Sequence, residues 1–220
     1  MFAAVRQGPP DVSAVGHLSQ RDAFRAALGA SSAAMEKLDH YEAMLRRWQR
    51  AINLVSASTL DQVWSRHFLD SAQLFGLLPD PACSVLDIGT GAGFPGLVLA
   101  MLGARDVHLV DSDTRKCGFV SQVARETGTR VSVHPVRIEA LQAGQFDVVT
   151  ARACAPLDRL ITLAQPHVHA DTVCLFPKGR SVARELDTIA AGIRLRVSAI
   201  PSLSSPGSTV VRMEGLGDGT

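Results

Sequence analysis

A chain of 220 residues, 46% hydrophobic and 20% charged, supports one sizeable core, is short for two full domains and is too apolar for general disorder. Its formal net charge of +1 gives no overall attraction to nucleic acid, so RNA binding would have to come from local patches. The four cysteines, Cys83, Cys117, Cys154 and Cys174, show no Cys-x-x-Cys pair and no zinc-type histidine spacing, and read as reduced thiols. The longest apolar run, Leu97 to Leu102, is far below the roughly 18 residues of a membrane span, and the first residues lack the apolar core of a secretory signal. A cytoplasmic enzyme with no membrane partner is the consistent expectation.

In chain order, residues 1–17 offer little to bury and read as a flexible leader. Ser19 with Asp22 resembles a capping box opening a helix that Gly29 closes. Leu38, Tyr41, Leu45, Trp48 and Ile52 then recur at spacings of three and four, an amphipathic stripe expected to pack on the main domain. Arg46, Arg47 and Arg50 fall near the end of that helix, where cations complement the dipole and are also placed to contact phosphate. Asn53 to Ser56 breaks the pattern, and Thr59 with Gln62 signals a further capped helix through Val63, Trp64, Phe68 and Leu69. Pro79 and Pro81 mark a boundary, so residues 18–80 are read as a helical extension docked on the domain formed by 81–214, with 215–220 a flexible tail.

After Cys83 strand and helix alternate, which argues for an α/β fold with a mostly parallel sheet and helices on both faces. Strands are expected at 83–88, 106–111, 130–135, 146–151 and 171–176. Ile193 to Ile200 and Ser208 to Met213 follow as an antiparallel pair. Seven strands with a late antiparallel excursion make the class I methyltransferase version of the Rossmann-like fold.

The stretch Val85 to Leu97 organises this domain: a buried strand breaks into Gly89, Gly91 and Gly93, then restarts as a helix after Pro95. About 20 residues beyond the glycines a second strand ends in Asp111, placed to grip ribose hydroxyls. Gly91 to Gly96 also satisfies the dinucleotide fingerprint, so an NAD-dependent oxidoreductase is the rival. Two features favour S-adenosylmethionine. Asp87 before the first glycine suits a ligand carrying an ammonium and a sulfonium, and Pro95 removes an N–H that a pyrophosphate would use.

The other strand ends complete the candidate site. Ile138 and Glu139 after the third strand are placed to flank an adenine, and Arg152 after the fourth lacks an obvious partner and should face the transferable methyl. That loop has no Asp/Asn-Pro-Pro-aromatic clamp, and Cys154 has no nearby histidine to activate it; a small buried thiol is the expectation. His167 and His169 have no third ligand, so no metal is expected. An acceptor that is already nucleophilic needs no base, and guanine N7 fits that description. Arg152 then has three candidate partners: guanine O6, a phosphate and the cofactor carboxylate. Arg46, Arg47, Arg50, Lys178 and Arg180 are expected to form the RNA face.

Trp48 to Leu54, Arg66-His67-Phe68-Leu69-Asp70-Ser71, Leu86 to Gly96, Val110-Asp111-Ser112, Arg137-Ile138-Glu139, Arg152-Ala153 and Lys178-Gly179 together resemble the RsmG (GidB) family, the match running from about Tyr41 to Gly179. The resemblance implies a bacterial S-adenosylmethionine-dependent methyltransferase acting on guanine N7 in the 530-loop region of 16S ribosomal RNA, free or in the small ribosomal subunit. It implies a cofactor site including Gly89, Phe94, Ile138, Glu139 and Arg152. The chain departs from the family at Cys154, at Phe176-Pro177 and at its Gly-rich end after Glu214. A small-molecule methyltransferase and a non-catalytic cofactor-binding ribosome factor are the alternatives.

Overall fold

The computed structural model describes residues 19–180, 182–189 and 195–217. The expected leader lies outside the described residues. Helix α1 (Gln20–Leu28) opens where the Ser19 side chain accepts from the Asp22 amide and closes at Gly29 with φ +60°, as the capping pattern predicts. Helix α2 (Ser32–Trp48) is capped by Ser31 and buries Met35, Leu38, Tyr41, Met44 and Leu45 along one face.

The expected stripe runs one turn too far, because α2 ends at Trp48 and Ile52 lies in the turn beyond it. Gln49 builds that turn. Its Oε1 accepts from the Leu54 and Val55 amides while its Nε2 donates to the Val55 carbonyl. The next segment also differs from the single capped helix expected. A 3-10 stretch (Ala57–Gln62) leads into a π turn (Trp64–Phe68) and a short α3 (Leu69–Ala72). Thr59 caps nothing: its hydroxyl donates to the Ser56 carbonyl and meets His67 instead. The wider π turn lets Trp64 and Phe68 stay in the core while Arg66, His67 and Asp70 line a cleft.

The sheet comprises β1 (Ser84–Ile88), β2 (Asp106–Val110), β3 (Ser132–His134), β4 (Phe146–Thr150), β5 (Val168–Lys178), β6 (Arg196–Pro201) and β7 (Thr209–Glu214). Its order is β3-β2-β1-β4-β5-β7-β6, with β7 antiparallel to both neighbours and every other pairing parallel. Relative to expectation β3 is shorter and β5 longer. Helices α4 (Gly96–Leu102), α5 (Thr114–Glu126), α6 (Leu157–Ala164) and α7 (Val182–Ile189) complete the domain.

One core joins Leu38, Tyr41, Leu45 and Phe68 to Leu97, Val98, Leu109 and Phe119, so the N-terminal helices share their apolar interior with α4, α5 and one sheet face. Tyr41 stacks on Phe94 at 5.3 Å and its hydroxyl donates to the Ala92 carbonyl, fastening α2 to the glycine turn. The second face buries Leu86, Val149, Leu160, Phe176 and Met213. Leu216, within the segment read from the sequence as a tail, joins that core at 4% exposure. The chain folds back there because burying a leucine outweighs leaving it in water.

Candidate active site

A cleft of about 830 Å³ opens beyond the carboxyl ends of β1, β2, β4 and β5, where doubly wound sheets bind ligands. Its floor is the turn after β1. Gly89 and Gly91 have φ of +66° and +58°, a backbone region that side chains rarely adopt. A Cβ on Gly89 would sit 2.8 Å from the Cβ of Cys154, whereas Gly91 has nothing nearer than the Gly89 carbonyl at 3.9 Å. The turn is therefore packed on one side and open on the other, as a backbone that receives a ligand needs to be.

Asp87, expected to face the ligand, lies behind the turn instead. It is fully buried, and Oδ2 accepts from the Thr90 hydroxyl at 2.6 Å and the Gly96 amide at 2.9 Å. Oδ1 is buried with no partner. Burial outweighs the two hydrogen bonds and pushes the carboxyl up to about 7. The reason is positional: strand alternation turns residue 87 toward α4, so it shapes the turn rather than lining the cleft. Gly93 is likewise behind, where a Cβ would press on the Tyr41 hydroxyl at 2.8 Å.

Asp111 does stand in the cleft. Its Oδ2 accepts from the Gly91 amide and its Oδ1 from the Asp113 amide, each at 2.8 Å, which fixes the carboxylate and leaves acceptor capacity on both oxygens. Ile138 lines the cleft as a buried apolar residue, and exposed Glu139 pairs with Arg137 and Arg159 at 3.5 Å. Phe94 also reaches the cleft from a stack of aromatic and cationic groups. Tyr41 lies 5.3 Å away, His67 5.1 Å, and the Arg152 guanidinium carbon 4.8 Å above the ring.

Arg152 has the partners that the sequence did not reveal. Nη2 donates to His67 Nδ1 at 3.0 Å, and Nη1 donates to the Arg66 carbonyl at 3.1 Å and reaches Asp70 at 3.5 Å. The partners come from the π turn and the start of α3, 82 to 86 positions earlier, a separation no local pattern reports. Burial, with Arg152 and Arg66 adding positive charge, depresses the His67 imidazole to about 3. Burial also lowers Arg152, opposed by Asp70.

The next residue, Ala153, is the one non-glycine with positive φ, +53°, among the described residues. It turns Cys154 outward. Cys154 is exposed rather than buried as expected, and its surroundings, led by partial burial and then by Asp87, push the thiol up to about 11, which keeps it from acting as a thiolate. His167 and His169 do not converge: one contacts the Gly144 carbonyl and the other Asp147.

The five residues expected to form the RNA face do not meet around the cleft. Arg46 is paired with Glu42 and Asp61, and Lys178 is held by Glu185 and the Ala155 carbonyl at 2.8 and 2.9 Å. Arg47 is exposed and does not line the cleft. Arg50 and Arg180 are exposed but do not line the cleft. The cations that do are Arg66, Lys116, Arg137 and Arg159, together with Arg152 and the tethered Lys178. Helical periodicity accounted for Arg46 and Arg47, but Lys116 and Arg159 stand in the first turns of helices that start at the cleft, a signal available from strand-end positions.

The strand order, antiparallel β7, glycine turn and acid after β2 define a class I methyltransferase. A family model described as rRNA small subunit methyltransferase G matches residues 34–207, and the chain belongs to that family. A protein named ribosomal RNA small subunit methyltransferase G from Rhodospirillum centenum is 49% identical over 190 residues, covering 86% of this chain and 88% of its own. One of the same name from Paramagnetospirillum magneticum is 50% identical over 185 residues, with 84% and 90% covered. Two solved structures share the fold: cofactor-bound Rv0187 from MTB (TM-score 0.62, 19% identity, 96% of this chain and 99% of that one) and magnesium protoporphyrin IX methyltransferase from Synechocystis with bound SAM (0.53, 16%, 91% and 99%).

Proposed function

We propose that this chain transfers a methyl group from S-adenosylmethionine to N7 of a guanine in small-subunit ribosomal RNA. The observation that carries the reading is the union of an adenosine-shaped half-cleft with a cationic second half. The first half has an open backbone at Gly91, a fixed carboxylate at Asp111 and an apolar wall at Ile138.

These residues fit the cofactor. Asp111 has lone pairs left for two ribose hydroxyls, and Ile138 covers one face of a purine. Held there, S-adenosylmethionine would supply an electrophilic methyl, and because guanine N7 already carries a free lone pair, no side chain of this chain would have to remove a proton from the acceptor. A catalytic base is then unnecessary, which matches a cleft wall in which His67 is held neutral and Cys154 is held as a thiol. The chain's contribution is to exclude water and hold the two reacting atoms in line. Arg152, fixed by His67, Asp70 and Phe94, braces the loop beside them as a positioning residue.

The test is transfer of labelled methyl to purified small ribosomal subunits lacking the modification, with nuclease mapping of the labelled base. One N7-methylguanine is the expected product. Labelling of small molecules only, with no label in RNA, would replace the reading with a small-molecule methyltransferase.

A further inference from the structure

Beside the residues suited to the cofactor, the same cleft is lined by Val55, Arg66, Pro177 and, from the loop between β6 and β7, Ser204, Ser205 and Ser208. We propose that this part of the cleft takes the target guanine and reads its edge through Arg66, Ser205 and Ser208. The inference rests on the RNA-methyltransferase reading and names the part of the site that selects the base.

Three observations converge. First, the loop is anchored as a wall: Ser204 donates to Asp70 Oδ1 at 2.7 Å, and Gln73 accepts from the Leu203 amide at 2.8 Å while donating to Ser202 at 3.1 Å. Asp70 uses its other oxygen on Arg152, so the loop, the π-turn segment and the end of β4 are held by one carboxylate. Second, Ser205 and Ser208 line the cleft half-buried, and among the described residues their hydroxyls have no hydrogen-bond partner. Partly desolvated hydroxyls facing a cavity call for a polar ligand. Third, Arg66 lines the same cleft as an exposed residue, and among the described residues its side chain has no hydrogen-bond or ion-pair partner, although its carbonyl is used by Arg152.

The chemistry of the three groups matches guanine. A guanidinium only donates, so Arg66 suits the O6 acceptor and opposes the amino group that adenine carries there. The serine hydroxyls can accept from N1–H and from the 2-amino group. N7 is left free for the methyl. Buried Val55 and Pro177 supply apolar surface for the base faces, and a cleft of about 830 Å³ is within the range that holds a cofactor and a base together. A base read in this way has to be unstacked from its neighbours first.

The experiment compares full-length wild type, Arg66→Ala and the double variant Ser205→Ala/Ser208→Ala. The substrates are small subunits reconstituted with guanine or with 2-aminopurine, which lacks O6 and N1–H but keeps N7, at the mapped position. Wild type should prefer guanine by at least about 100-fold in kcat/KM, two discriminating contacts of the size expected for base-edge hydrogen bonds. Each variant should lose about tenfold on guanine and cut the preference from about 100-fold to about tenfold, with the dissociation constant for S-adenosylmethionine unchanged. A variant that keeps the wild-type ratio overturns the proposal, whatever its absolute rate. If the double variant loses cofactor binding, the exposed Arg66→Ala variant decides alone. Wild type inactive on guanine would instead sink the RNA-methyltransferase reading.

Discussion

The Arg152 Nη2 and the His67 Nδ1 lie 3.0 Å apart, and since a guanidinium can only donate, His67 must be protonated on Nε2. Nε2–H then donates to Thr59 Oγ1 at 2.8 Å, and Thr59 donates to the Ser56 carbonyl at 2.8 Å. Every proton in this chain is assigned. Burial first, and then the charges of Arg152 and Arg66, hold the imidazole at about 3, and a proton on Nδ1 would set two positive groups against each other.

His67 should therefore leave no trace in the pH–rate profile between pH 5 and 8. Its folded value lies below its usual 6.5, so the unfolded chain binds the extra proton and stability falls as pH drops from 6.5 toward 3, by up to about 1.4 kcal/mol per unit. His67→Leu leaves Arg152 short of an acceptor and should cost about 1–3 kcal/mol and at least tenfold in kcat. His67→Gln, which can accept from Arg152 and donate to Thr59, should recover most of both. Equal loss in the two variants, by thermal unfolding and single-turnover transfer, would show that the proton order does not matter.

Asp87 gives the opposite slope. Its carboxyl rises from 3.8 to about 7 on folding, so the unfolded chain ionises first and wild type loses stability from this group as pH climbs from about 4 to 7. Asp87→Asn can still accept from Thr90 and Gly96 and has no such slope, although its NH2 takes the place of the unpartnered Oδ1. Unfolding at pH 5 and at pH 8 should show the variant gaining about 2–3 kcal/mol relative to wild type between the two. Parallel curves would mean the carboxyl is not raised.

Two glycines of the turn should separate in kind. A Cβ on Gly96 would meet Leu109 and come within 2.9 Å of the Asp87 Cβ, in a helix start packed on the sheet. Gly96→Ala should cost about 1–3 kcal/mol by overpacking, measured as a fall in denaturation midpoint. Gly91→Ala meets nothing but takes φ of +58°, which costs about 1–2 kcal/mol, and it intrudes on the cleft. Gly91→Ala should thus weaken S-adenosylmethionine binding more than Gly96→Ala does for the same loss of stability, as calorimetry would read.

The sheet was legible because strand and turn signals are local: the glycines, Asp111, and the apolar runs at 84–88 and 146–150 stand where their periodicity places them. Ser19 and Gly29 cap α1 for the same reason. Pairing across the chain was not legible. Arg152 meets partners from the π turn, Asp70 reaches Ser204 134 positions later, and neither contact has a sequence period. The position of Asp87 is hard to read from sequence because its neighbours are the turn glycines, whereas its own side chain follows the strand's alternation into the core.

The cationic rim offers the last separation. Lys116, Arg137 and Arg159 line the cleft, while Arg46 is spent on Glu42 and Asp61 and Arg47 does not line it. Each phosphate neutralised adds about 0.7 on a single strand to about 0.9 on a B-form duplex to the slope of log affinity against log salt. Alanine at Lys116, Arg137 and Arg159 together should therefore lower the slope for small-subunit RNA by about 2 to 3, since partial pairing of Arg137 and Arg159 with Glu139 trims their share. Alanine at Arg46, Arg47 and Arg50 should change it by less than about 1, because Arg46 trades an internal partner for a phosphate and neither Arg47 nor Arg50 lines the cleft. Filter binding from 50 to 300 mM salt, a range set by about the Debye lengths of interest, distinguishes the two sets. A larger drop from the α2 triple variant would move the RNA path off the cleft rim and onto α2.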